Sequence, residues 1–275
     1  MHQTNARTIV SHVTTALLVV ATIVLLVFTA IHNIWILLFF LAHRYIAVFF
    51  QSFFHHRYAA HMMFTMSQKR EKIFYVLAWI AQGSSYLVPS AYAVLHRLHH
   101  KYSDTEKDPH SPIFFQDVFG LMRRTAIIYT DILHNGAHTQ EFAKNYPVRK
   151  KLDTFGISRY SRIGRWLVYI GVYVLLGAQW RMFFLLPIHF LMGPVHGAIV
   201  NRAGHMVWYV NHKLADHSRN TLPIDILTVG ELFQNNHHND GSDPKFANKR
   251  REVDPTYIVM QWLEKLGIIR FTWNK

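Results

Sequence analysis

The sequence predicts an all-α integral membrane protein in which four transmembrane helices form two hairpins and carry a cytosolic helical cap. Three features of its 275 residues predict this fold: long apolar runs, an uneven distribution of basic residues, and clusters of histidine in the polar segments. Hydrophobic residues make up 51% of the chain and charged residues 16%. This composition suits one domain, covering residues 1–275, with a large apolar core.

The apolar runs place the spans. Residues 9–31 carry no formally charged side chain across 23 positions. At about 1.5 Å per residue, a helix of this length crosses a hydrocarbon layer of about 30 Å. The other predicted spans are 34–54, 163–179 and 182–200. The connections within each consecutive pair are very short, so we expect two tight hairpins.

The basic residues predict the orientation. Of 29 Lys and Arg residues, 15 lie between Arg57 and Arg162, and 10 lie from Arg202 onwards. By the positive-inside rule, the blocks 55–162 and 201–275 are cytosolic. We therefore expect a bacterial inner membrane protein with its functional face towards the cytoplasm, or an endoplasmic reticulum protein if the source is eukaryotic. The net charge of +13 does not indicate nucleic-acid binding, because no nucleic-acid module is recognisable.

Several local features refine this layout. His43 and Arg44 fall near the middle of the second span, where polar groups usually face the bundle interior or a wet cavity. The stretch 73–95 predicts helices along the membrane surface rather than a fifth span. The segment 101–112 is rich in Asp, Ser and Pro and predicts a loop. Near-helical spacing of apolar residues between Phe114 and Met122 predicts a further helix.

The chemistry-bearing residues are histidines, of which the chain has 20. Three clusters stand out, and a separate His205 follows the fourth span: HRYAAH at 56–61, HRLHH at 96–100 and QNNHH at 234–238. All of them lie in the inner polar blocks or at the cytoplasmic ends of spans. We expect them to converge beneath the membrane.

Their spacing predicts metal binding. His96, His99 and His100 lie at i, i+3 and i+4, on one face of a helix. Gln234, His237 and His238 repeat that spacing. On a regular helix His56 and His61 point about 140° apart and suit two neighbouring metals better than one.

Eight histidines exceed what one ion can hold, so the count favours two metals. Imidazole suits zinc, copper, iron and nickel, so ligand type alone does not choose the metal. The chain has no cysteine, which excludes thiolate ligands. The carboxylate ligands of soluble di-iron bundles and the HExxH pattern of zinc proteases are also absent.

The remaining histidines have plainer interpretations. Isolated ones are read as polar interfacial residues. His189 and His196 fall within the fourth span, where neighbouring groups or a wet interior satisfy them. His55 points away from its neighbour His56 on a helix and is not expected to be a ligand.

At the clusters the sequence resembles the membrane fatty acyl desaturases of the acyl-CoA delta-9 type. The match runs through HRYAAH, HRLHHKYSDTEKDPH (96–110), NRAGH (201–205) and GELFQNNHH (230–238), and the stretch DPTYIVMQWLEKLGIIR (254–270) is similar to bacterial members. The resemblance implies a mushroom-like helical fold with four spans and a cytosolic cap that holds two irons.

The resemblance also implies site residues. Eight positions match iron-binding histidines of the family: His56, His61, His96, His99, His100, His205, His237 and His238. Asn201 matches a polar position near one iron, where water completes the shell. Gln234 departs from the acyl-CoA enzymes, which usually have His there, and matches the front-end desaturases; it either binds through its amide oxygen or leaves an open position.

Supporting residues are expected around the ligands. A ligating imidazole normally donates its other N–H to a carboxylate or carbonyl, and Asp104 and Asp108 are the candidates, with loop capping as the alternative. His110 is expected to support the structure rather than bind metal. Arg123 and Arg124 could hold an anionic substrate headgroup, although a solvated or lipid-facing pair explains them as well.

The expected activity is O2-dependent insertion of a cis double bond into a long acyl chain carried on CoA, carrier protein or lipid. Electrons come from a ferredoxin or a cytochrome b5-like protein with its reductase, because the chain has no electron-transfer centre of its own. The nearest alternatives are other histidine-box oxidases: a lipid or alkane hydroxylase, or an alkene-forming decarboxylase. A remote alternative is a non-enzymatic metal or haem carrier, which should place its histidines inside the spans.

Overall fold

The computed structural model describes residues 6–115 and 117–272, and this part of the chain is mostly helical. The α-helices are α1 Ala6–His32, α2 Ile34–Phe50, α3 Gln68–Gln82, α4 Pro89–Tyr102, α5 Val118–Asn135, α6 Thr139–Phe142, α7 Lys150–Ile157, α8 Arg159–Leu175, α9 Leu186–Phe190, α10 Met192–Met206, α11 Gln234–Asn239 and α12 Pro255–Lys265. A π-helix, Gln51–Ala60, continues α2, and 3₁₀ turns cover Gly83–Ser85, Pro112–Phe114 and Trp180–Leu185. Two short strands, β1 Phe64–Thr65 and β2 Arg270–Phe271, pair antiparallel.

Two helices are long and apolar enough to cross a membrane by themselves: Ile9–His32 and Ile34–Ala60. They cover the first two predicted spans. Helix α8 has 17 residues and covers most of the predicted third span. The predicted fourth span is bent by 66° between Phe190 and Met192, and the two arms together count as a third candidate span if they form one crossing.

The bend in the fourth span has a local cause. Proline has no amide hydrogen, so Pro194 cannot donate to the carbonyl four residues before it, that of Phe190. The Ser84 hydroxyl donates to that carbonyl instead, at 3.1 Å. The sequence prediction treated 182–200 as one continuous run and did not anticipate the break.

Polar side chains hold the apolar helices together. Asn33, between α1 and α2, caps α2 and donates its side-chain amide to the carbonyl of Leu176 at 2.8 Å. Deeper along α2, the Nδ1 atoms of His43 and His189 lie 2.7 Å apart. The Tyr169 hydroxyl lies 3.2 Å from His43, and the Tyr173 hydroxyl lies 3.0 Å from His189. His43 therefore faces the interior, and His189 is satisfied by its neighbours, as expected.

The cap departs from the sequence prediction at two boundaries. Helix α4 continues to Tyr102, so the loop predicted from residue 101 begins two residues later. The helix predicted around Phe114 begins only at Val118, because the Asp117 carboxylate accepts the amides of Phe119 and Gly120 and caps it there. The helices predicted between 73 and 95 are α3 and the first part of α4, and their position along the membrane surface stays a prediction.

An aromatic core joins the cap to the end of the second span. Phe53 and Phe54 of the π-helix are fully buried and pack with Phe64, Tyr75 and Phe233. The rings of Phe53 and Phe64 stack at 4.8 Å. This packing fixes the π-helix, which carries the first histidine cluster, against both polar blocks.

Gly83 tests a different contact, the packing of the turn after α3 against Tyr169 of α8. It has φ +56°, and a Cβ there would lie 1.6 Å from the Tyr169 hydroxyl. We expect Gly83→Ala to lower the free energy of unfolding by about 2–4 kcal/mol, from left-handed strain and overpacking together. Thermal unfolding of the detergent-solubilised protein measures this effect.

Gly164→Ala, within α8, is the matched control. A Cβ there meets nothing within 4 Å, and alanine favours a helix over glycine. We expect an unchanged or raised melting temperature for the control, and equal melting temperatures for the two variants would contradict the packing described.

Candidate metal centre

Five histidines from three segments form the first cluster. They are His56 and His61 of the π-helix and its C-cap, His96 and His100 of α4, and His237 of α11. One ring nitrogen from each lies within 4.8 Å of every other. The closest Nε2 pairs are His61–His96 at 2.8 Å, His56–His237 at 2.9 Å, His100–His237 at 2.9 Å and His96–His100 at 3.0 Å.

The π-helix explains how His56 and His61 share one cluster. A regular helix would turn them about 140° apart, and the sequence analysis assumed that geometry. The His61 amide instead donates to the His56 carbonyl five residues earlier, at 3.2 Å. This wider turn places the two rings on one side, with centroids 5.1 Å apart. The expectation that the pair suits two metals better than one is therefore wrong for this structure.

Three histidines form the second cluster: His99 of α4, His205 of α10 and His238 of α11. Their ring centroids lie 5.0–5.2 Å apart. The clusters are adjacent, because the rings of His100 and His238 are 4.6 Å apart. The i, i+3, i+4 set on α4 is divided between them, with His99 in the second cluster and its two partners in the first.

Four carboxylates, of which all but Asp216 have buried side chains, accept hydrogen bonds from the outer nitrogens of four of these rings. The Nδ1–oxygen distances are 2.5 Å for His56–Glu231, 2.9 Å for His99–Asp108, 3.1 Å for His205–Asp104 and 2.6 Å for His238–Asp216. Each bond places the proton of a neutral ring on Nδ1 and leaves the lone pair on Nε2.

The sequence analysis named two of these four acids. Asp104 and Asp108 are brought to the histidines, whereas Asp216 and Glu231 were missed. Glu231 lies within the GELFQNNHH motif, and its proximity to the last box was the available signal. Asp216 had no such signal, because it follows His205 by eleven residues in an irregular segment.

The electrostatics keep these groups in their metal-binding forms. Burial raises the pKa of Asp104 and of Glu231, but hydrogen bonds and attraction from His205 and His56 respectively outweigh it and hold both pKa values at about 2. Burial, reinforced by neighbouring imidazoles, lowers the pKa of His61, His96, His100 and His237 well below 6.5. The carboxylates are charged and these rings neutral near pH 7.

The second cluster is compatible with a metal ion and poorly explained without one. His99 and His238 both commit Nδ1 to carboxylates, yet their Nε2 lone pairs face each other at 3.2 Å. The buried Nε2 of His205 has no hydrogen-bond partner within residues 6–115 and 117–272. Two acceptors cannot form a hydrogen bond with each other, so a shared cation between them removes the conflict.

The first cluster is also compatible with a metal ion. The Nε2 of His100 lies about equally close to those of His96 and His237, and one proton cannot bridge both contacts linearly. At metal–nitrogen distances of about 2.1 Å, ligands at right angles lie about 3.0 Å apart. The observed separations match that spacing.

The other predicted residues lie around these clusters. Gln234 is buried, and its amide donates to the Glu231 carbonyl at 2.7 Å. Gly204 makes room for it, since a Cβ at that position would lie 2.4 Å from the Gln234 Cγ. Asn201 lies half-buried on α10, about one turn before His205.

His110 and His55 lie outside the two histidine clusters, and the supporting role expected of His110 stays a prediction, because it forms a third candidate group with His99 and Asp108. The His110 ring lies 4.3 Å from that of His99, and its backbone amide donates to Asp108 at 2.9 Å. A nitrogen of His110 also comes within 4.8 Å of ligand atoms of His99 and Asp108. His55 interacts through Nε2 with the Leu87 carbonyl at 2.9 Å and belongs to neither cluster.

The two candidate headgroup residues differ in their surroundings. Arg123 is exposed. Arg124 donates to the Glu106 carbonyl, and its guanidinium lies 5.7 Å from the centre of the Phe115 ring. Arg124 thus holds the loop that follows the second histidine box.

Comparison with known proteins identifies the family. The fatty acid desaturase family model matches residues 33–244. The chain is 30% identical over 224 residues to sn-1 stearoyl-lipid 9-desaturase of Synechocystis sp., covering 78% of this chain and 64% of that protein. It is 28% identical to hex-5-enoyl-acyl-carrier-protein acetylenase of Moorena producens (78% and 69% covered) and to an acyl-CoA 5-desaturase of Anemone leveillei (78% and 64% covered).

The chain spans about two thirds of the length of these relatives. The family match extends from the start of α2 through the last histidine box, and so includes every residue of both clusters. This confirms the resemblance seen in the histidine motifs: the chain belongs to the fatty acid desaturase family.

Proposed function

We propose that this chain is an O2-dependent fatty acyl desaturase that inserts a cis double bond into a long acyl chain at a di-iron centre. The observation that carries the proposal is the convergence of eight imidazoles into two adjacent clusters beneath the apolar helices. Relatives named as desaturases support the reaction class. Iron, among the metals that imidazole suits, is the one that the resemblance of the histidine motifs implies.

In this proposal the first cluster binds one iron through five imidazoles and the second binds the other through three. When bound, the metal pair supplies activation of O2, with external electrons, for hydrogen removal from an unactivated methylene. The chain holds the ligands in one orientation through its four carboxylates. Burial of the rings excludes bulk water from the site.

The second cluster has three histidines, whereas the first has five. Gln234 determines whether the second cluster has a further ligand or an open position. Its side-chain amide donates a hydrogen bond to the backbone carbonyl of Glu231, and this bond fixes the side chain beside α10. We propose that the three-histidine metal keeps an open position, with Asn201 as a nearby polar group that holds water. The alternative is direct ligation by the Gln234 oxygen.

The proposed topology keeps four spans, with α8 as the third and the bent α9–α10 region as the fourth. Both polar blocks then lie on the cytoplasmic side, as the distribution of basic residues indicates. The basic face suits an acidic electron donor such as a ferredoxin or a cytochrome b5-like protein. The acyl substrate enters on CoA, carrier protein or lipid.

Product analysis tests the reaction. Expression of the chain in a host supplied with saturated fatty acids should yield new unsaturated acids, detected by gas chromatography. His100→Ala should abolish them, because His100 contacts both neighbours in its cluster. A hydroxy acid or a terminal alkene as the product would overturn the desaturase proposal in favour of another histidine-box oxidase.

Asp216→Asn tests the orienting carboxylates. Loss of the charged acceptor for His238 should weaken metal binding by about 10–100-fold, measured as iron retained during competition with a chelator. Asp131→Asn is the matched control, since Asp131 is exposed on α5 and contacts Asn135. Equal iron retention in both variants would argue against an orienting role for Asp216.

Gln234→His tests the open position. We expect the added imidazole to slow iron loss to a chelator and to lower turnover, because it fills a position that the reaction needs. Gln261→His adds a histidine on the exposed face of α12 and serves as the control. Slower iron loss with full turnover would indicate that Gln234 already acts as a ligand.

A further inference from the structure

A tight turn at residues 224–229 exposes apolar side chains towards the outside of the molecule. Ile224, Ile226 and Leu227 are each 54–56% exposed. Asp225, between them, is fully buried. The turn lies in the C-terminal block, immediately before the motif that carries the last histidine box, and no pattern in its residues predicts contact with the membrane.

The depth of this turn follows from its contact with α2. Arg44 donates to the Leu227 carbonyl at 2.7 Å. Arg44 lies ten residues beyond Ile34, or about 15 Å along a helix, which is about half of a hydrocarbon thickness of about 30 Å. If α2 spans the bilayer as proposed, Arg44 lies near the middle of the hydrocarbon region, and the Leu227 carbonyl that it contacts lies within that region.

Backbone at such depth must have its polar groups satisfied. The Asp225 carboxylate accepts the amides of Thr228, Gly230 and Leu232 at 2.8–3.0 Å, and also the Thr228 hydroxyl. Arg44 both satisfies a carbonyl of the turn and attracts Asp225 electrostatically. The charge at the centre of the turn is thus enclosed, and its apolar side chains face outward.

The turn is also held in a single conformation. Val229 has φ +54°, an unusual value for a β-branched residue. The amide and the hydroxyl of Thr256, on α12, both donate to the Val229 carbonyl, at 3.3 and 2.7 Å. These two hydrogen bonds keep the apolar tip of the turn directed away from the cap.

We propose that the turn at 224–229 is a membrane-inserted tip that contacts lipid acyl chains in the cytoplasmic leaflet beside α2. The surroundings of the tip are bilayer hydrocarbon, since the tip is hydrogen-bonded to a helix long enough to span the membrane and carries no exposed charge. The GELFQNNHH motif begins directly after it, at Gly230. The tip therefore sets the depth of Glu231, His237 and His238 relative to the membrane. This inference goes beyond the proposed activity and rests on the proposed crossing of α2.

Spin labelling of the full-length protein in phospholipid vesicles tests the tip. The chain has no cysteine, so single-cysteine variants need no further substitutions. A nitroxide at Ile226→Cys should collide readily with O2, which concentrates in hydrocarbon, and rarely with the water-soluble complex Ni-EDDA. Ile224→Cys provides a second label at the same tip if the first variant does not fold.

Two controls calibrate the measurement. Val24→Cys lies on the exposed surface of α1, and Lys249→Cys lies on the exposed surface of the cap. We expect the O2 to Ni-EDDA collision ratio at residue 226 to match that at residue 24 and to exceed that at residue 249 several-fold. A ratio like that at residue 249 would place the tip in water and overturn the proposal.

Other outcomes are equally decisive. Low collision rates with both reagents would mean that another protein surface, such as a second copy of the chain, covers the tip, and this also overturns the proposal. A water-like ratio at residue 24 would contradict the spanning topology itself. Desaturation assays on the same labelled samples report separately on the proposed function.

Discussion

The site depends on hydrogen bonds between imidazole Nδ1 atoms and carboxylates. Four such bonds fix the tautomer and the orientation of His56, His99, His205 and His238. Without them, each ring could rotate or place its proton on the nitrogen that faces the cluster. The acids come from four separate positions in the chain, so the folded cap, rather than any one histidine box, determines where the lone pairs point.

Much of this arrangement follows from sequence, because histidine is rare and its spacing within α4 and α11 is regular. The assignment of each histidine to one of the two clusters does not follow from the sequence. It depends on a π-helix, which forms where α2 enters the aromatic core and which no 3.6-residue pattern encodes. Asp216 was not predictable either, since long-range pairing with a histidine leaves no periodic trace in the chain, and Glu231 was indicated only by its proximity to the last histidine box.

The fold, too, was predictable from sequence only in part. The two N-terminal apolar helices were evident from hydropathy alone. The bend between α9 and α10 was not, because it depends on a proline together with a serine from a different segment that satisfies the freed carbonyl. Hydropathy reports how apolar a stretch is, whereas the path of the backbone depends on partners that are distant in sequence. The third and fourth spans therefore stay predictions.

Adjacent residues on α4 and on α11 belong to different clusters: His99 and His100 on one helix, His237 and His238 on the other. Neither helix can tilt or shift without moving donor atoms in both clusters at once. An ion bound in one cluster would therefore order most of the donor atoms of the other and lower the entropy lost when a second ion binds. Through these two helices, the occupation of one cluster would therefore be energetically coupled to the occupation of the other.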